Sequence, residues 1–579
     1  DILTGRINPS GKLGFTIAES LWDYPTANNF TWNKENPEDI LTYENYGLSA
    51  AKNGSIGYDK SPVTLYQEDI YLGYRYFDTF QKKVLFPFGS GLSYTSFDIV
   101  PKEVIQQDEE YEIVTEVTNT GNYAGKETVQ LYLSCQNTAT ERPQKELKGF
   151  EKTKLLAPGE SEEIHIYIER KELAVYVEAK ASYILEKGTY CFLIGNTSNK
   201  VETAGEIHVD EDLIIKKCTN CLQIQECNVE QLRFLSAKSG EKKAEHYDNS
   251  RSESCRSEAA LKNETAELKD FSIRQLAALC VGYGPGIPFA AFSDTKNPET
   301  IFDEQGNPLT VNDHSIGTNG YVSPAIPEKG IHSIFYKDGP AGVGTGAWPT
   351  EMLISCSFNK ELWKEFGNAV GGACEKQGVN VWLAPAVNLH RHPLCGRNFE
   401  YFSEDPYLTG MCAVQITKGV QETHNVCVCP KHFAVNEQET YRRGSAKKNY
   451  DAADSILTER AARELYLKPF EMLVQEAGIS FIMTSFNKIN GIFAGGNKDL
   501  CTHILREEWN FEGVVVTDWG DMDIVVDGGD AVAAGNDIVM PGGPPVIKQI
   551  LLAYEEGRVT REELERSVGR LLYALKKFS

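Results

Sequence analysis

Gly513-Val514-Val515-Val516-Thr517-Asp518-Trp519-Gly520 sets four consecutive β-branched residues directly against an acid and an indole. A short apolar run bounded by Gly and polar residues reads as a buried strand. Comparable runs lie at Val379 to Ala384, Val426 to Cys429, Ile479 to Met483 and Asp537 to Met540, while Asp454 to Glu476 and Val546 to Leu575 have helical spacing. Apolar strands alternating with amphipathic helices signal βα units around a parallel sheet. The expected fold class is therefore α/β, with a (β/α)8-type barrel over residues 263–579 as its simplest container. In such a barrel the site lies at the carboxyl ends of the strands, where side chains converge on a ligand. Polar residues cluster there. Val379 to Pro385 leads to Asn388, Arg391 and Arg397; Val426 to Pro430 leads to Lys431 and His432; Phe481 to Ser485 leads to Asn487; and Val514 to Thr517 leads to Asp518 and Trp519.

Upstream the texture changes. Glu110 to Ile207 alternates in short runs separated by turns such as Thr120-Gly121-Asn122 and Pro158-Gly159, which predicts a β-sandwich over residues 101–210. Residues 211–262, rich in Lys, Glu, Ser and Asn, read as a connector. A chain of 579 residues exceeds one core. A formal charge of −24 disfavours a nucleic-acid partner, no apolar run reaches membrane-spanning length, and a neutral small molecule or carbohydrate fits better. The 14 cysteines are scattered, several in apolar settings such as Cys280, Cys427 and Cys429, as expected of reduced thiols in the cytoplasm. Cys218, Cys221, Cys227 and Cys255 form a looser cluster whose irregular spacing fits free thiols better than zinc. Gly282-Tyr283-Gly284-Pro285-Gly286 lacks both the dinucleotide-binding spacing and the lysine of a phosphate loop, so a nucleotide enzyme is discounted.

Each candidate has a plainer reading. An Asp after a strand is commonly a turn or helix-cap residue. Lys431-His432 reads also as a structural ion pair, Arg397 as part of a salt-bridge network with Glu400 and Glu404, and Trp519 as core.

Several longer stretches resemble glycoside hydrolase family 3. PLCGRNFEYFSEDPYLTG at Pro393 to Gly410, KHFAVNEQETYRR at Lys431 to Arg443, MTSFNKING at Met483 to Gly491, VVVTDWG at Val514 to Gly520 and AGNDIVMPGG at Ala534 to Gly543 occur in the order of the family's catalytic barrel. NPSGKL, GYRYFD and FPFGSGLSYTSF within residues 1–100 resemble the end of its α/β-sandwich domain, and RPQKELKGF at Arg142 to Phe150 resembles its fibronectin type III-like domain. The implied order is that of permuted members, with sandwich tail and fibronectin-like domain before the barrel.

The resemblance implies a retaining β-glycosidase, foremost a β-glucosidase, working by double displacement with Asp518 as nucleophile. It places Asp338, Arg397, Lys431, His432 and Arg442 on the hydroxyls of the sugar, and Met483 and Trp519 around its apolar face. No metal or cofactor is implied. Three departures stand out. Ser485-Phe486-Asn487 replaces a Ser-Tyr-Asn triplet, which removes a phenolic hydrogen bond. Gly344 replaces an Arg, which predicts a more open pocket near Trp348. The Glu-Gly-x-Asp-Arg type segment that carries the general acid does not occur between Asp1 and Phe97. The expectation is a longer parent, or a separate chain or homo-oligomer partner, supplying the acid. A barrel-loop acid of the Lys-His-Phe-Pro-Gly type is replaced by Lys431 to Val435, and nothing in the sequence aims Glu437 or Glu439 at the leaving group. Two rival readings are a β-xylosidase or arabinosidase on the same fold, and a non-catalytic sugar-binding module.

Overall fold

The computed structural model describes residues 1–30, 41–46, 62–222, 224, 268–282, 321–323, 331, 334–344, 347–444, 450–520 and 526–578. Cys227, Cys255 and the run 283–286 lie outside them. The chain has an α/β architecture, with a β-sandwich between its two other parts.

In the sandwich, Phe97–Gln106, Glu110–Asn119 and Ser161–Glu169 form one antiparallel sheet, and Lys200–Val209, Gly188–Thr197, Thr128–Gln136 and Glu146–Lys152 form the other. The cause is two-residue alternation: along Ser161–Glu169 the residues Ile164, Ile166 and Ile168 are buried while their neighbours face water. They meet Val129, Leu131, Tyr190, Phe192 and Ile194 in one core. Each such side chain contributes roughly 1.5–3 kcal/mol by leaving water. The sheet pattern continues into the predicted connector, where Leu213–Lys217 pairs antiparallel with Ser182–Leu185.

The catalytic candidate is built on parallel strands: β1 (Phe335–Asp338), β2 (Val381–Leu383), β3 (Cys427–Val428), β4 (Phe481–Met483) and β5 (Val514–Val516). β1 pairs with β2, β2 with β3, and β4 with β5. The residues after β3 complete the row, since Met483 N–H donates to Pro430 O at 3.0 Å and Phe433 N–H to Met483 O at 2.7 Å. Beyond β5, parallel bridges join Val516 to Ile538 and Val539 to Val281. Tyr321–Val322 pairs antiparallel with β1 at the other end. Among the described residues no pair closes this row into a ring.

Both faces are buried, as parallel strands under helices require. Val381 and Leu383, Cys427 and Cys429, Phe481 and Met483, and Val514 and Val516 join one apolar cluster with Tyr336 and Met540. The residues between them, Trp382, Val428, Ile482 and Val515, join the other with Trp363, Phe470 and Ile504. The flanking helices are locally encoded. Asn359 caps Lys360–Lys376, Asp405 caps Pro406–Gln421 with Pro at its first turn, and Gly478, at φ 58°, ends Lys468–Ala477 in the left-handed conformation.

Two expected helices are corrected. The stretch from Asp454 opens as a strand, Asp454–Ile456, before turning helical at Glu459. Val546 to Leu575 is two helices, Gly543–Glu555 and Arg561–Leu575, divided where Gly557 takes φ 74° and Thr560 forms a capping box with Glu563.

The first hundred residues lean on the parallel-strand part. Ile17–Ala18 pairs with Val84–Phe86, but Val63–Leu65 runs parallel to Asp454–Ile456, which pairs in turn with Lys488–Ile489. Buried polar groups fasten this seam. Glu404 accepts from the N–H of Thr16 at 2.8 Å and of Tyr74 at 2.7 Å. Arg391 pairs with Glu68 at 2.6 Å, both side chains fully buried, and lies 4.0 Å over the Tyr66 ring.

Candidate active site

The strand ends bring most of the predicted residues together. β1 ends at Asp338, the loop after β2 carries Asn388 and Arg397, Lys431 and His432 follow β3, Met483 ends β4, and Asp518 and Trp519 follow β5. Asp518 sits at the centre. Its Oδ1 accepts from Trp519 N–H at 2.7 Å, while Oδ2 is buried, makes no hydrogen bond among the described residues and stands 3.8 Å from His432 Nε2. A short polar side chain bonding to the next backbone N–H is what a turn residue does, so that plainer reading accounts for Oδ1. It leaves Oδ2 unexplained.

Charge surrounds this atom. Burial pushes the Asp518 carboxyl above its ordinary range, against the opposing charges of Arg442, Arg397 and Lys431. His432 is held well below the usual imidazole range, first by burial and then by Arg397, Lys431 and Arg442. Its ring is neutral at physiological pH.

Lys431 is 3% exposed, and its Nζ donates to Asp338 Oδ1 at 2.5 Å. The Asp338 side chain is 63% exposed, so this carboxylate reaches outward over a buried ammonium. Partial desolvation by the surrounding site works to raise Asp338, but the Lys431 charge and hydrogen bond outweigh it and hold the carboxyl below its ordinary value. The ion pair foreseen for Lys431 as the plainer reading is present, and it joins two of the predicted sugar contacts.

Arg397 pairs with Glu400, as the salt-bridge reading expected, but Glu404 is turned away to Thr16 and Tyr74. Arg391 leaves the site altogether for Glu68. Arg442 Nε forms an ion pair with Glu439 Oε1 at 2.9 Å, and its guanidinium lies 4.9 Å over the Phe486 ring. Phe486, read from the sequence as the loss of a phenolic hydrogen bond, thus offers a π-face to a cation. Met483 is buried in the apolar cluster, and Trp519 meets Tyr336 edge-on at 6.5 Å. Trp348 folds back on its own loop, donating Nε1 to Val343 O at 3.0 Å and meeting Phe366 edge-on.

One part of the arrangement escaped the sequence reading. Arg443 bonds to Gly520 O and its guanidinium lies 5.7 Å over Phe486, tying the loop after β3 to the loop after β5. Its signal was the tandem Arg442-Arg443. Glu437 faces no leaving group: fully buried, it accepts from Asn388 Nδ2, Leu389 N–H and Tyr66 Oη, each at 3.2 Å. Cys218 and Cys221, the described members of the cysteine cluster, pack beside Arg463, whose Nη2 lies 3.7 Å from Cys221 Sγ.

The sequence pattern of the glycosyl hydrolase family 3 N-terminal domain matches residues 329–574, and that of a fibronectin type III-like domain matches residues 127–198. Beta-glucosidase A of Butyrivibrio fibrisolvens is 33% identical over 623 residues, covering 98% of this chain and 68% of that protein. The chain belongs to glycosyl hydrolase family 3. A beta-glucosidase of Ruminococcus albus is 34% identical over 596 residues, covering 99% of this family 3 chain and 58% of that protein. A solved beta-glucosidase structure from Paenibacillus barengoltzii superposes with a TM-score of 0.77 at 29% identity, covering 100% of this chain and 62% of that one. The family 3 chain thus spans roughly three fifths of the length of two of these relatives and 68% of the third. Within it the fibronectin-like match precedes the hydrolase match. No helix among the described residues is long and apolar enough to cross a membrane.

Proposed function

We propose that this chain is the sugar-binding and nucleophile-bearing part of a retaining β-glucosidase, with Asp518 as nucleophile. One observation carries the reading: Asp518 Oδ2, buried and without a hydrogen bond, faces His432 amid the charges of Lys431, Arg397 and Arg442. A carboxylate kept from solvation yet surrounded by cations is ready to attack an anomeric carbon, because no hydrogen bond must break first. Attack forms a glycosyl ester on Oδ2 and expels the aglycone oxygen. Water then cleaves the ester with overall retention. Asp338, Lys431, His432, Arg397 and Arg442 bind sugar hydroxyls, and Met483 and Trp519 wall its apolar face. The relatives' description as beta-glucosidases supports glucose as the sugar.

Retention needs a second carboxyl about 5 to 5.5 Å away to protonate the leaving oxygen. Among the described residues the neighbouring acids are engaged: Asp338 with Lys431, Glu439 with Arg442, and Glu437 with three donors. The general acid therefore comes from an element beyond the described residues, such as the remainder of a sandwich domain or a partner chain. The exposed side chains of Leu85 and Phe86, on the strand paired with Ile17–Ala18, support its docking there. The row of parallel strands closes as a (β/α)8-type barrel, residues 1–100 are the tail of the sandwich domain, and the domain order is permuted. Free thiols among the described residues fit a cytoplasmic protein.

Intact mass after incubation with a 2-deoxy-2-fluoro glucoside bearing a dinitrophenyl leaving group, which needs little protonation, tests the reading. The expected result is one glycosyl adduct mapping to Asp518 and absent from Asp518→Asn. A folded native chain that takes up no label would overturn it.

A further inference from the structure

Behind His432 lies a closed set of hydrogen bonds that the proposed reaction does not use. Asn388 is fully buried. Its Nδ2 donates to His432 O and to Glu437 Oε1, each at 3.2 Å, and its Oδ1 accepts from His432 N–H at 2.9 Å and lies 3.3 Å from His432 Nδ1. Turning this amide over would set its NH2 against the backbone N–H of His432 and its oxygen against a carbonyl and a carboxylate. Only the observed orientation satisfies all four neighbours.

We infer that Asn388 and Glu437 are positioning residues that set the tautomer of His432, with the proton on Nδ1 and with Nε2 left as an acceptor for a hydroxyl of the bound sugar. The inference rests on the glucosidase reading only for the sugar. Nδ1 faces an amide oxygen, so a neutral ring carries its proton there. Nε2 then presents a lone pair to the cavity, 3.8 Å from Asp518 Oδ2. Two acceptors side by side in a buried site call for a donor between them, and a sugar hydroxyl is one.

The set does not depend on the charge of Glu437. Its Oε1 accepts from two N–H groups, Asn388 Nδ2 and Leu389 N, so a proton on Glu437 belongs on Oε2, toward Tyr66 Oη. Burial raises this carboxyl to about 7, against the bonds from Leu389, Asn388 and Tyr66 and the charge of Arg391. The amide orientation, and with it the tautomer, holds on both sides of that value. The charged groups acting on the imidazole are Asp518, Lys431, Arg397 and Arg442, and the three cations favour the neutral ring.

Nitrogen NMR of the full chain with ring-15N histidine tests this, with His432→Gln assigning the signals. The expected native spectrum has a protonated Nδ1 and an unprotonated Nε2 that do not titrate between about pH 5 and 8. Asn388→Asp sets a carboxylate against Nδ1, so the ring should gain a titration in this range. The rate of labelling by the fluoroglucoside should fall roughly tenfold or more and become pH-dependent. A native His432 protonated on Nε2 would overturn the inference, as would an Asn388→Asp chain with native ring signals. The native spectrum decides alone if the variant does not fold, and it is read without sugar. Failure of labelling in the native chain would therefore overturn the glucosidase reading and leave the tautomer result standing.

Discussion

His432 Nε2 stands 3.8 Å from Asp518 Oδ2, and that carboxylate oxygen has no hydrogen bond. The pair is poor for folding, because an ionised carboxylate is buried beside an imidazole lone pair rather than a donor. Unsatisfied buried polar groups are what an active site keeps when a ligand is to supply the partner.

Asp518→Asn should therefore stabilise the chain at neutral and alkaline pH. The folded carboxyl lies above its unfolded value of about 3.9, so its penalty is fully present above the folded value. The penalty fades as pH falls through that value and vanishes below the unfolded one. Thermal unfolding should show the variant ahead by about 1–3 kcal/mol at pH 8, with the gap closing toward pH 4. A variant less stable at pH 8 would contradict this account.

Glu68→Gln and Arg391→Met should each cost about 3–5 kcal/mol, since each strands one member of a fully buried ion pair. The double variant should cost less than the sum of the two. Denaturant titration of all four chains reads the coupling directly, and strict additivity would mean that the pair does not act as a unit. Tyr66, stacked under Arg391, also bonds to Glu437, so both single variants should slow labelling of Asp518 as well.

This ion pair marks where the sequence stopped being readable. The strands from Val381 to Val516 were legible because a short apolar run bounded by Gly and polar residues is a local signal, and the site residues because strand ends concentrate polar groups. Arg391 was placed with them for the same reason, yet its partner Glu68 lies in a part of the chain that carried no pattern linking it to the parallel strands. Val63–Leu65 beside Asp454–Ile456 was illegible too: three residues hold no period, and their pairing is decided by tertiary packing. Glu437 could be listed as a carboxyl but not aimed, since only the fold brings Asn388, Leu389 and Tyr66 around it.

Phe486→Leu should weaken sugar binding more than it weakens folding. The substitution keeps the site apolar among Ala452 and Phe493 but removes the π-face under Arg442 and Arg443. A cation–π contact contributes about 0.5–2 kcal/mol, which corresponds to roughly 2- to 30-fold in glucose affinity if Arg442 loses its placement. Phe486→Tyr keeps the face and should bind as the native chain does. Calorimetric titration with glucose separates the two variants, and equal loss in both would assign the effect to packing.

Asp338→Asn tests the reach of the Lys431 pair. The ammonium is buried and the carboxylate largely exposed, so water can replace part of what Asp338 supplies, and the stability loss at pH 7 should stay near 1 kcal/mol. Binding should suffer more, because Asp338 is one of the two proposed hydroxyl contacts in this pair and its loss frees Lys431 from its fixed position. The expected drop in glucose affinity is about 10- to 100-fold, the range for losing a hydrogen bond to a charged group. The pH dependence has the opposite sign to that of Asp518. The folded Asp338 lies below its ordinary value, so its contribution is present above the unfolded value of about 3.9 and is lost as pH falls through the folded one. Native and Asp338→Asn chains should therefore converge in stability as pH falls through the folded value. Denaturant titrations from pH 7 downward measure this, and a stability difference that does not shrink as the pH falls would mean that Asp338 acts through its shape rather than its charge.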